Sequence, residues 1–181
     1  MCAFEFKEVA AMKSFGLYIH IPFCERKCYY CDFTSFPRKG RDIVKYTEFL
    51  IKELSLYKDR FSDYKLETIF IGGGTPSVIN EIYIKDILDY IYSNYNVEEL
   101  KEITIEVNPG TITMDKALAY KSVGINRVSI GSQSLNNKML RMLGRVHNYT
   151  DIKNTIDIFR MAGFDNINVD LIFGLPEQGL D

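Results

Sequence analysis

The densest chemistry in the sequence lies in one short stretch, HIPFCERKCYYCDF at residues 20–33, where three of the four cysteines fall within eight positions. Cys24, Cys28 and Cys31 are separated by three and two residues, close enough for a single loop to turn all three sulfurs toward a common centre. Glu25, Arg26 and Lys27 make the first interval too polar for thiols that merely pack in a core. Two metal chemistries fit. A cubane iron–sulfur cluster usually takes four thiolates, so three leave one iron without a protein ligand and open to a small molecule. In the alternative, a zinc ion is held by the three thiolates and His20, four residues before Cys24. Structural zinc sites are usually assembled from two knuckles of paired ligands, whereas these ligands form one loop, so the cluster is the expectation. Phe23, Tyr29, Tyr30 and Phe33 are expected to exclude water from it and so influence its reduction potential.

Polar groups recur just after, or alternating within, apolar runs elsewhere. Gly72, Gly73 and Gly74 follow the run ETIFI and let backbone groups approach a ligand closely, and Pro76 stiffens Thr75. The triplet has neither the G-x-G-x-x-G spacing nor the Gly-Lys-Ser of a phosphate loop, so a nucleotide fingerprint is not expected. Glu106 alternates with Ile103, Ile105 and Val107, and Asp170 with Ile167, Val169 and Leu171, which puts each carboxylate on the face opposite its strand's apolar residues. In a parallel barrel that face is the interior.

The elements that must position these groups alternate between periods of two and 3.6. Strands are predicted at 17–21, 67–71, 101–107, 126–130 and 165–173. Helices are predicted at 42–61, after an Asn80 cap, from Thr113 through Ser122, and near 136–142 and 150–161, with Gly124 and Gly163 closing two of them. Repeated strand–helix–strand units imply a parallel α/β sheet, either open and doubly wound or a barrel, with ligands beyond the carboxyl ends of the strands. The last predicted strand has no helix after it to cover it, which leads us to expect a fragment. Residues 1–15 are expected to be an N-terminal extension to a core at 16–181.

Composition narrows the class. A chain of 181 residues that is 46% hydrophobic can build one sizeable core. With a net charge of −2 and scattered basic residues, no nucleic-acid footprint is visible. No apolar run approaches the roughly 20 residues of a transmembrane segment, and cysteines too clustered for a disulfide framework favour a reducing, cytoplasmic compartment.

C-x3-C-x2-C with an aromatic residue before the last cysteine resembles the radical S-adenosylmethionine (SAM) superfamily. The wider pattern LYIHIPFC, CDF, IGGGTPS, EVNPGT, GINRVSIGSQS, LGRVHN and NVDLIFGLPEQ resembles its group of haem chaperones and oxygen-independent coproporphyrinogen III oxidases. The resemblance implies an incomplete (β/α)6 partial barrel, here ending after its fifth strand. It also implies a [4Fe-4S] cluster on Cys24, Cys28 and Cys31, and SAM cleaved by an electron from an electron-donor protein. Contacts to SAM are implied for Tyr18, Gly73 and Glu106, and further ones for Tyr30, Gly74, Thr75, Gln133, Arg145 and Asp170. Phe33 occupies the place of an extra cysteine in the oxidase branch, so the chaperone branch, with haem as a ligand of the whole protein, is favoured over porphyrinogen oxidation. Arg145 is expected either to contact a ligand carboxylate or to close a helix at the surface. His147 is expected to be an exposed loop residue and not a haem ligand.

Overall fold

The computed structural model describes residues 13–37 and 40–179. Most of the expected N-terminal extension therefore lies outside the described residues, as does Cys2. The boundary placed after residue 15 falls inside the first strand, β1 (Lys13–Ile21). Phe15 is already part of the fold, its ring stacked on Phe61 at 4.7 Å.

The described residues form seven strands, β1 included, and five α-helices. β2 (Phe23–Cys24) and β3 (Phe36–Pro37) form a small parallel pair, and α1 (Gly40–Tyr57) leads through a 3-10 turn at Lys58–Phe61 to β4 (Tyr64–Gly73). Next come α2 (Glu81–Asn94), β5 (Glu102–Val107), α3 (Met114–Ser122), β6 (Arg127–Gln133), α4 (Asn137–Met142), α5 (Tyr149–Met161) and β7 (Asn166–Leu171). The helix starts are chemical: Asn80, Thr113, Asn136 and Asn148 each accept a backbone N–H in the first turn, and Asn148 with Asp151 completes a capping box. Pairing lengthens two strands beyond their apolar runs. β1 and β4 stay in register from Lys13 with Tyr64 to Ile21 with Gly73, apart from a shift at Phe15 and Gly16, so the glycines expected to stop β4 continue it.

The main sheet has the order β1-β4-β5-β6-β7 and every pair is parallel. Each new strand joins the same side as the last, without the reversal that gives a doubly wound sheet its crevice, so the strands form an arc of a barrel. One face is the core. Ile19, Ile69, Ile71, Ile103, Ile105, Val128 and Ile130 are buried together with Ile84, Ile87 and Leu88 of α2, Tyr120 of α3 and Phe159 of α5. The other face is polar, and pairing aligns it in rows: His20 with Gly72, Glu106 with Ser129, Ser129 with Asn168, and Gly131 with Asp170. No helix among the described residues is long and apolar enough to cross a membrane.

Phe159 is fully buried and meets Phe164 edge-on at 5.1 Å. Phe159→Ala is expected to lower the unfolding free energy by about 3–5 kcal/mol, read from chemical denaturation of the metal-free chain.

Candidate functional site

The cysteine loop is closed at its base and docked at its tip. Phe36 N–H donates to the Pro22 carbonyl at 2.7 Å and β2 pairs with β3, so Cys24 stands on a short stem. At the far side Tyr29 N–H reaches the Leu143 carbonyl at 3.1 Å. The Tyr29 ring lies over Gly144, where a Cβ would come within 3.1 Å of it and where φ is +74°. The loop therefore reaches from the end of β1 to the turn after α4. Cys24 is buried, Cys28 and Cys31 are half-buried, and all three are free thiols. Of the four aromatic residues expected to shield them, only Phe23 is buried. Tyr29 and Phe33 are 71% and 69% exposed and Tyr30 is 40% exposed. Tyr29 packs on the outside of the loop against Gly144 and the Arg26 guanidinium, which leaves it no inward face to cover the thiols.

Beneath the loop runs the glycine backbone. Gly74 N–H donates to the Ile21 carbonyl and Thr75 N–H to the Phe23 carbonyl, both at 2.8 Å, while Gly73 N–H crosses to Glu106 Oε2 at 3.0 Å. Gly73 has φ of +113°, and a Cβ there would lie 2.5 Å from the His20 ring. Thr75 is buried, with Oγ1 3.6 Å from Cys24 Sγ. That hydroxyl accepts Asn108 Nδ2 at 2.9 Å.

Across the sheet the polar row continues. Burial holds the Glu106 carboxyl above its usual range; the Gly73 N–H opposes the shift, and the nearby Asp170 adds to it. Asp170 takes the Ser129 hydroxyl at 3.1 and 3.2 Å and Asn168 Nδ2 at 2.6 Å. β6 carries an irregularity between Gly131 and Gln133, and Gln133 has φ of +64°, the local kink by which a bulge re-aims a side chain. Burial pushes the Tyr30 phenol up to about 12, with the Arg145 charge opposing.

One cavity of about 360 Å³ at the carboxyl ends of the strands gathers most of these groups. Cys24, Cys28, Cys31 and Tyr30 line it from the loop, and Gly73, Gly74 and Thr75 from β4 and its turn. Glu106, Gln133, Arg145 and Asp170 come from the far strands and the turn after α4. Tyr18 does not line it. It stands one row further down β1, 56% exposed, with its hydroxyl on His20 Nδ1 at 3.0 Å. The other ring nitrogen of His20 meets the Thr34 carbonyl at 2.8 Å, so both are engaged away from the thiols. Among the described residues no group of three His, Cys, Asp or Glu side chains is placed to hold a metal ion. Three thiols from one loop that line one cavity match the donor set of a cubane cluster with one iron left without a protein ligand.

For His147 the expectation is corrected, for Arg145 one of its two alternatives falls away, and two residues are new. Arg145 does not close a helix at the surface: its Nη2 donates to Asn108 Oδ1 and the Gly131 carbonyl, both at 2.6 Å, and its Nη1 lies 3.5 Å from Cys28 Sγ. His147 is not exposed but 5% accessible, because the bulge in β6 turns the Ser132 carbonyl toward its Nε2 at 3.2 Å. Asn108 sits in the predicted Asn-Pro-Gly turn yet ties Thr75 to Arg145, and Ser35 lines the cavity while 4% exposed, its hydroxyl without a partner among the described residues. An Asn preceding Pro-Gly reads first as a turn residue, and nothing local marks Ser35.

The profile of the Radical SAM superfamily matches residues 18–181. The heme chaperone HemW of Haemophilus influenzae is 42% identical over 172 residues, covering 92% of this chain and 45% of the relative. HemW of Lactococcus lactis is 39% identical over 164 residues, covering 91% and 42%. Among solved structures, coproporphyrinogen III oxidase HemN from Escherichia coli, a Radical SAM enzyme, superposes with a TM-score of 0.84 at 30% identity, covering 92% of this chain and 38% of that one. The chain thus spans less than half the length of these relatives.

Burial, and then the Arg145 charge, hold the His147 imidazole down to about 4 from an ordinary 6.5. The unfolded chain takes up this proton below pH 6.5 and the folded chain only near pH 4, so the stability involved is complete above 6.5 and is lost as pH falls toward 4. Denaturation of the metal-free chain across that window is expected to show a fall in stability that His147→Asn reduces.

Proposed function

Because the chain belongs to the Radical SAM superfamily, we propose that its cavity binds a [4Fe-4S] cluster on Cys24, Cys28 and Cys31 with SAM beside it, in the radical SAM core of a haem-chaperone-like protein. The observation that carries this reading is the meeting, in one cavity, of three thiols from a single loop with polar groups from β4, β5, β6, β7 and the turn after α4. When bound, the cluster supplies the electron that cleaves the sulfonium of SAM. The protein's own part is position and polarity. Three thiolates leave one iron for the amino acid end of SAM, and the Gly73–Glu106 hydrogen bond sets a carboxylate where a cationic ligand is favoured. Asp170 and Gln133 are acceptor and donor for the ligand's hydroxyl and amide-like groups, and Gly74, Thr75 and Tyr30 complete the wall. Tyr18 acts through His20, whose ring packs on Gly73. The cytoplasm, where free thiols persist, is the proposed compartment.

Haem binding and transfer are proposed for the whole protein, with an electron-donor partner, on the strength of the HemW relatives and of Phe33 standing where the oxidase branch carries a cysteine. Oxidation of coproporphyrinogen III is the second reading, favoured by the likeness to HemN.

Anaerobic reconstitution with iron and sulfide is expected to give a brown protein whose iron is lost in Cys24→Ala, Cys28→Ala and Cys31→Ala, and whose reduced-state EPR spectrum changes when SAM is added. A colourless protein with one zinc per chain would defeat the reading. Haem titration and turnover of coproporphyrinogen III then separate chaperone from oxidase. Gly73→Ala, strained by its positive φ and the His20 ring, is expected to weaken SAM binding at least tenfold by calorimetry, about 1.4 kcal/mol.

A further inference from the structure

The Arg145 guanidinium lies within hydrogen-bonding reach of a cysteine sulfur, and the fold holds it there from several sides. Its Nη1 lies 3.5 Å from Cys28 Sγ. Its Nη2 has two protons, taken by Asn108 Oδ1 and the Gly131 carbonyl at 2.6 Å each. Behind that nitrogen stands His147, with Nδ1 at 3.4 Å and Nε2 anchored on the Ser132 carbonyl at 3.2 Å. This pattern sets the tautomer: Nε2–H donates to Ser132, which leaves Nδ1 as a lone pair facing the cation. Asn108 is itself fixed, because its Nδ2 is committed to Thr75 and its backbone N–H to the Ser77 hydroxyl at 3.1 Å. Docking of Tyr29 onto Leu143 and Gly144 brings the cysteine loop to the same turn and so sets the distance between Cys28 and Arg145.

We propose that Arg145 is a fixed positive charge bearing on the Cys28 sulfur, with His147 and Asn108 as its positioning residues, and that it raises the reduction potential of the cluster. The proposal rests on the cluster reading above. Reduction adds a negative charge that the thiolate sulfurs share, and a guanidinium within hydrogen-bonding reach of one of them stabilises the reduced form over the oxidised one. Arg145 thus acts on the cluster before any SAM is present, a role separate from contact with a ligand carboxylate.

The test is an anaerobic redox titration of the reconstituted full chain without SAM, monitored by EPR, in wild type, Arg145→Gln, Arg145→Lys, His147→Ala and His147→Asn. Arg145→Gln is expected to shift the midpoint to a more negative value. His147→Ala should shift it the same way by less, while Arg145→Lys and His147→Asn return toward wild type. If Arg145→Gln holds no cluster, the other three variants decide by the same order. An Arg145→Gln midpoint equal to wild type, with SAM affinity alone reduced, overturns the proposal and makes Arg145 a ligand contact only. A His147→Ala midpoint equal to wild type beside a shifted Arg145→Gln overturns the positioning role of His147. Wild-type protein that takes up no iron and sulfide defeats the cluster reading and this proposal together, whereas loaded variants with unmoved midpoints defeat the proposal alone.

Discussion

Two backbone hydrogen bonds, Gly74 N–H to the Ile21 carbonyl and Thr75 N–H to the Phe23 carbonyl, fix where the cysteine loop stands relative to the sheet. They form only because the chain after β4 passes so close under the end of β1 that a Cβ on Gly74 would sit 2.8 Å from the Phe23 carbonyl. From this point outward the positions follow. Cys24 is set above Thr75, Thr75 above Asn108, and Asn108 against Arg145, a chain of contacts that runs from β2 to the turn before α5. The Tyr29–Leu143 bond closes that chain into a ring around the cavity.

The division of labour between the two faces of the sheet explains how polar groups survive inside the arc. On the helix side Ile71, Ile105, Val128 and Ile130 are fully or almost fully buried and supply the hydrophobic stabilisation. On the inner side nearly every polar group is answered by a neighbour. Arg127 donates to Thr104, Thr104 to Glu102, and Asn168 and Ser129 both serve Asp170. Glu106 is less well supplied: it has one backbone donor and a carboxylate neighbour, and burial raises its proton affinity.

Much of this was legible in the sequence because it is local. The C-x3-C-x2-C spacing, the glycine run and the alternation of Glu106 and Asp170 with isoleucine, valine and leucine each lie within one element, and the period of two assigns a face without knowledge of the partner strand. Whether the sheet was open or an arc of a barrel depended on strand order, which periodicity does not encode. His147 was misread, and Arg145 left between two alternatives, for the same reason. Both follow a helix at a turn, where exposure is the default, and both are drawn inward by carbonyls of β6, those of Gly131 and Ser132, beside the irregularity at Gly131–Gln133. Asn108 looked like a turn residue because it is one; its second role depends on residues 33 and 37 positions away.

The strand order has a consequence for biosynthesis. Apart from the small β2–β3 pair, each strand docks on the one made just before it, so β1, β4, β5, β6 and β7 enter the sheet in the order in which a ribosome releases them. Parallel pairing is intrinsically slow, because a long crossover must close before any ladder bond rewards it. Among the described residues, though, each strand of the main sheet finds its partner already made, and the nascent sheet presents a single growing edge.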